Sequence, residues 1–245
     1  MRSERREGVP RAVHSMAYEN AATLGGKCHR MLFEHGTPSR RSPEASPKKE
    51  FKKEGRPMEH PHIPLEDLQA QVAACRRCPL CDGRTQTVFG VGNPEARVLI
   101  VGEAPGKNED LQGEPFVGAA GKYLNELLAI AGLSREDVYI ANVLKCRPPS
   151  NRDPRPEEIQ ACTPFLREQT RTINPEYIVT LGNFSTKFIL KTDVGITRLH
   201  GTLQRAGRFK VFPIFHPAAA LYDSKKREAL ENDFATLGEL LRGEV

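Results

Sequence analysis

Between residues 97 and 215 short, unbroken apolar runs alternate with longer stretches whose apolar positions recur every three or four residues. The runs lie at 97–102, 138–143, 177–182 and 210–215, and each is rich in β-branched or aromatic side chains. Strands buried on both faces of a parallel sheet carry this pattern. The periodic stretches predict helices. One covers residues 65–74, with Leu65, Leu68, Val72 and Cys75 on one face, and another covers about 121–131, stopped by Gly132. A third is opened by Pro156 and carries Ile159, Cys162, Phe165 and Leu166, and two more fall at about 183–190 and 225–242. Strands joined through helices need right-handed crossovers. The expected fold is therefore α/β, a three-layer α/β/α sandwich around a central, mainly parallel four-stranded sheet.

Residues 1–60 break this pattern. Pro, Ser, Arg, Lys and Glu dominate from Gly36 to Arg56, and no apolar period is sustained, so this stretch is expected to be a disordered basic tail preceding a folded domain at 61–245. The tail holds 13 Lys and Arg against 8 Asp and Glu, which leaves 23 of each sign for the remainder and places the whole net charge of +5 in the tail. The basic balance is thus no argument that the folded part binds nucleic acid, which must come from local clusters. No apolar segment of 7–15 residues suggests a secretory signal, and no run of about 18 apolar residues suggests a membrane span. A soluble, intracellular protein is expected. Met58 stands just before the organised part and is a candidate translation start.

The candidate chemistry gathers at the carboxyl ends of the predicted strands, where ligands bind in open α/β sheets. Gly102-Glu103-Ala104-Pro105-Gly106 follows the first strand, Asn142 closes the second, and His216 follows the fourth. Cys75 and Cys78 form a Cys-x-x-Cys pair, while Cys146 and Cys162, with fifteen residues between them, stand beside a strand end and on a helix. Four thiolates in two clusters suit tetrahedral zinc or an iron–sulfur cluster. Cys81 reads as a free thiol near that site, and Cys28 is assigned nothing.

Together with Glu114-Pro115-Phe116-Val117-Gly118, Asn142-Val143-Leu144-Lys145-Cys146-Arg147-Pro148-Pro149 and His216-Pro217-Ala218-Ala219-Ala220-Leu221, the turn after the first strand resembles the motifs of the family 4, iron–sulfur uracil-DNA glycosylases of bacteria and archaea. The resemblance runs from about residue 65 to 242. It implies a DNA-repair hydrolase that flips uracil out of DNA and leaves an abasic site. It also implies one [4Fe–4S] cluster on Cys75, Cys78, Cys146 and Cys162, and a uracil pocket of Gly102, Glu103, Ala104, Phe116, Asn142 and His216. Catalytic roles fall on Glu103, His216 and Asn151. The implied partner is uracil-containing DNA, with no membrane and no second subunit, in the cytoplasm at the nucleoid; the resemblance does not specify a sliding-clamp contact.

The residue chemistry fits those roles. Breaking the glycosidic bond gives the sugar oxocarbenium character and expels uracil as an anion. His216 can donate to uracil O2, Phe116 can stack on the base, and Asn142 can donate to O4 and accept from N3–H, the reverse of what cytosine presents. Glu103 either orients water or hydrogen-bonds the pocket, because Ala104 stands where the related family 1 enzymes carry an Asp. Gly106 likewise stands where that family has a Tyr that excludes thymine. No lysine in the motifs stands as a Schiff-base nucleophile, which points to a monofunctional enzyme. Arg76, Arg77, Lys145, Arg147 and Arg152 are expected to form a basic patch at the pocket mouth, and Leu221 to wedge into the gap left by the base. Two alternatives stay open: a uracil-crosslinking relative, from which the chain departs at Ala104 and in lacking a His within 148–153, and a non-catalytic iron–sulfur DNA-binding or electron-transfer module. If the tail lies outside the active structure, a chain starting at Met58 keeps its melting temperature and its rate at saturating DNA, while its affinity at low salt falls. Thermal melts and uracil-release rates of the two chains check this.

Overall fold

A computed structural model describes residues 63–244. The expectations for the tail, Met58 and Cys28 lie outside the described residues. In chain order the elements are α1 (Leu65–Ala73), α2 (Leu80–Gly83), β1 (Val91–Gly92), β2 (Val98–Gly102), α3 (Lys107–Gln112), α4 (Ala119–Ile130) and β3 (Val138–Asn142). After a short 3₁₀ turn at Pro149–Asn151 come α5 (Pro156–Ile173), β4 (Tyr177–Leu181), α6 (Gly182–Leu190), α7 (Ile196–Leu199), β5 (Gln204–Ala206), β6 (Phe209–Ile214), α8 (Pro217–Ala220) and α9 (Ser224–Arg242).

Among the described residues the sheet has six strands in the order β1-β3-β2-β4-β6-β5 rather than the four expected. The inner four are the expected ones and are all parallel, while β1 and β5 add antiparallel edges. Those edges are two and three residues long and carry no apolar alternation of their own, so only pairing with β3 and β6 defines them. β5 turns into β6 through Gly207, whose φ of +59° a side chain would resist.

Successive residues of the inner strands face opposite layers, as the pleat requires. Val98 and Ile100 of β2, Val138 and Ile140 of β3, and Phe212 and Ile214 of β6 pack with Leu124, Leu127 and Leu128 of α4 and with Leu230, Phe234 and Leu237 of α9. Leu99, Val101, Tyr139, Ala141 and Val211 pack on the other face with Leu68 and Val72 of α1 and with Phe165, Leu166 and Ile173 of α5. This is the three-layer sandwich. Register then fixes the site: Gly102 lies opposite Asn142, and Leu181 opposite Ile214, so the parallel strands end together along one edge of the sheet. Among the described residues no helix is long and apolar enough to cross a membrane.

Candidate active site

At the ends of β2 and β3, Asn142 is 2% exposed, and its Oδ1 is buried without a hydrogen-bond partner among the described residues. Leaving such an acceptor unpaired costs about 1–3 kcal/mol, which marks it as a place for an incoming donor. Gly102 makes that position possible. A Cβ there would come within 2.3 Å of Asn142 Oδ1 and 2.9 Å of the Phe116 ring, so only glycine lets the amide and the ring share the space above the strand end.

Phe116 takes a left-handed backbone conformation, φ +55°, which is uncommon for a non-glycine residue. Three neighbours hold it there. The Arg135 guanidinium donates to the carbonyls of Pro115 (2.8 Å) and Phe116 (3.3 Å), and Glu109 Oε1 accepts from the backbone N–H groups of Val117 (3.1 Å) and Gly118 (3.3 Å). Gly121 in the first turn of α4 lets that helix approach the Phe116 carbonyl so closely that a Cβ would overlap it. The Phe116 ring faces the His216 ring at 5.7 Å between centroids, with 29° between planes.

His216 caps α8, its Nδ1 accepting from Ala218 N–H at 3.2 Å. An Nδ1 that accepts leaves the proton on Nε2, so the neutral imidazole presents a donor. Burial lowers the His216 pKa, with the Glu109 charge partly opposing it, and this favours the neutral ring. Gly182, with φ +87°, passes against the His216 Cβ, where a side chain would crowd it.

Glu103 and His216 line one cleft of about 670 Å³ together with Asp153 and the length of α6. Burial, and then the charge of Asp153, push the Glu103 carboxyl above the usual carboxylate range. Ala104 packs towards the cysteines, against the group formed by Leu80, Leu144 and Cys146. Asn151 is exposed on the 3₁₀ turn, where its Oδ1 accepts from Arg147 Nε at 2.8 Å, and it is absent from the lining of the cleft.

Cys75, Cys78, Cys146 and Cys162 line a second, small cavity with Cys81, Arg84 and Lys145. Arg84 donates to Cys146 Sγ at 3.2 Å, and the backbone N–H of Lys145 donates to Cys162 Sγ at 3.2 Å. Cys81 turns instead to the Asp82 carboxylate at 3.4 Å.

The basic patch needs correction. Lys145 is 1% exposed and cannot touch DNA; its Nζ donates to the carbonyl of Asn142 at 2.8 Å and to the side-chain carbonyl of Gln169. Burial pulls its pKa down to about 8. Arg152 is committed to Glu158 at 2.9 Å, and Arg77 lies over the Phe165 ring at 4.8 Å. Arg76 and Arg77 are exposed beside the cysteines, and Arg147 is half-buried on Asn151. Leu221 is partly buried against the core under α9, while its neighbour Tyr222 is 93% exposed.

Sequence reasoning missed Glu109, Arg135, Asp153, Lys187 and Lys191. Glu109 and Arg135 act on backbone atoms, which leaves no side-chain pattern to read. The two lysines do leave one, because with Phe184 and Phe188 they recur at helical spacing along α6 and its cap.

The sequence matches the uracil DNA glycosylase superfamily over residues 89–237. The type-4 uracil-DNA glycosylase of Archaeoglobus fulgidus is 50% identical over 184 residues, covering 72% of this chain and 92% of that protein. The type-4 enzyme of Sulfurisphaera tokodaii is 47% identical over 186 residues, 72% of this chain and 84% of its own. That of Thermotoga maritima is 48% identical over 159 residues, covering 64% and 83%. The motifs at the strand ends and this similarity agree, and the chain belongs to the uracil-DNA glycosylase superfamily and, within it, to the type-4 uracil-DNA glycosylases.

Proposed function

We propose that the chain removes uracil from DNA by hydrolysing its N-glycosidic bond, the first step of base excision repair, with Asn142 reading the base and His216 stabilising its departure. The observation that carries this reading is the buried, unpartnered Asn142 Oδ1 beside the Phe116 ring. Uracil flipped into that space stacks on Phe116, gives its N3–H to Asn142 Oδ1 and takes a hydrogen bond from the Asn142 amide at O4. His216 Nε2–H donates to O2. That bond strengthens as negative charge develops on the leaving base, so it lowers the barrier rather than merely binding the substrate.

Glu103 holds water for attack at C1′. As a base it works ionised, so activity requires a pH above its raised pKa, and the acid limb of the rate profile stands above the range of an ordinary carboxylate. Asp153→Asn removes the negative charge that raises this pKa and moves the limb to lower pH, whereas Glu103→Gln lowers kcat and abolishes the limb. The other charged groups lining the cleft, Lys187, Lys191 and Asp193, are unchanged in both variants. Single-turnover rates across pH check this prediction.

Cys75, Cys78, Cys146 and Cys162 hold one [4Fe–4S] cluster. The soft thiolate set suits iron–sulfur or zinc, and the cations Arg84 and Lys145 beside it suit an anionic centre. Among the described residues no three His, Cys, Asp or Glu side chains converge on a single ion. When bound, the cluster cross-links the segment after α1, the end of β3 and α5. Cys81, facing a carboxylate, stays a free thiol.

The deciding experiment is uracil release from an oligonucleotide with one deoxyuridine. Free uracil and an alkali-labile abasic site are expected. Binding without release supports the non-catalytic module, and a covalent protein–DNA adduct supports the crosslinking relative.

A further inference from the structure

We propose that the cleft that Glu103 and His216 share with α6 is the track for the DNA strand that carries the flipped nucleotide, with Lys187 and Lys191 taking its phosphates. This rests on the glycosylase reading above. Phe184, Lys187, Phe188 and Lys191 stand three and four residues apart in one stripe, and all four line the same cleft as Glu103 and His216. At about 670 Å³ the cleft has the capacity of a site for a drug-sized ligand, more than one pyrimidine ring fills.

The state of the cations decides which of them can bind phosphate. Lys145 and Arg152 spend donors inside the protein, whereas Arg147 commits only its Nε, to Asn151. Lys187 and Lys191 make no side-chain hydrogen bond or ion pair among the described residues, and their ammonium groups are available to an incoming anion. Next to them the Phe184 and Phe188 rings lie parallel within 2° at 6.5 Å and are anchored in the core beneath. Ammonium groups set beside aromatic faces are a pairing by which proteins hold a single nucleic-acid strand. Three carboxylates, Glu103, Asp153 and Asp193, share the lining, so the track is defined by the two ammonium groups and not by a net positive charge.

Binding of a single-stranded oligonucleotide with an abasic-site analogue, followed by fluorescence anisotropy between about 50 and 200 mM salt, tests the proposal. Each single-strand phosphate contact contributes about 0.7 to the slope of log K against log salt. The double variant Lys187→Gln/Lys191→Gln is therefore expected to flatten the slope by about 1.4, so that the wild-type advantage shrinks about sevenfold across that range. Lys122→Gln, on an exposed position of α4, is expected to keep the wild-type slope. An unchanged slope in the double variant overturns the proposal, and so does an equal loss in Lys122→Gln. Uracil release by the wild-type chain separates the two levels. If it fails, the glycosylase reading fails; if it succeeds while the double variant keeps its slope, only the strand track fails.

Discussion

Asn142→Asp is expected to lower uracil release by about a hundredfold or more, the scale of a lost oriented donor where charge develops, and to open a weak cytosine release that rises as pH falls. The native amide offers one acceptor and one donor, matched to uracil N3–H and O4. Cytosine presents an acceptor at N3 and a donor at N4, so both contacts are wrong, and each unpaired buried group costs about 1–3 kcal/mol. The aspartate removes the donor to O4 and supplies an acceptor for the cytosine amino group. Cytosine protonated at N3 then pairs fully, which gives the activity its rise at low pH. His216→Ala depresses uracil release and opens nothing on cytosine, because it removes charge stabilisation without altering the edge that is read. Release assays on matched uracil and cytosine oligonucleotides distinguish the two variants. Near-normal uracil release by Asn142→Asp would remove Asn142 from the pocket.

Cys146→Ser and Cys162→Ser are each expected to lose bound iron and to melt far below the wild-type chain. Cys146 follows β3 and Cys162 lies on α5, both line the same small cavity, and the proposed metal centre would close loops that the chain otherwise leaves open. Anaerobically purified wild-type protein should carry roughly four irons per chain, as a Cys₄-ligated [4Fe–4S] centre requires. Cys81→Ser should retain that iron, since its sulfur turns to Asp82. Iron analysis and thermal melts read both expectations. Stoichiometric zinc in protein made with iron available would overturn the cluster, and loss of iron from Cys81→Ser would overturn the ligand set.

The inner sheet was legible because a parallel strand covered on both faces must be apolar at every position, a pattern that survives without knowledge of its neighbours. The edges β1 and β5 exist only through their partners, and Gln204-Arg205-Ala206 resembles any polar loop. The same division holds in the site. The positions of Gly102, Asn142 and His216 at strand ends follow from the apolar runs that precede them. The burial of Lys145 does not, because a lysine reads as surface until its carbonyl partners are known, and these are Asn142, three residues back, and Gln169, twenty-four residues ahead. The apolar character of Leu221 predicts a wedge, and the structure sets it partly buried against the core with Tyr222 beside it in solvent.

The backbone of Phe116 has a consequence for how the base is received. A left-handed non-glycine residue carries a cost of about 1–2 kcal/mol, and here Arg135, Glu109 and Gly121 impose it during folding. On the proposed reading the stacking surface is thus finished before any DNA arrives, and an entering uracil need not organise a loop at the expense of its own affinity. Such a receptor is rigid towards its ligand. Retuning it to another base would start at the scaffold that fixes the ring, not at the ring itself.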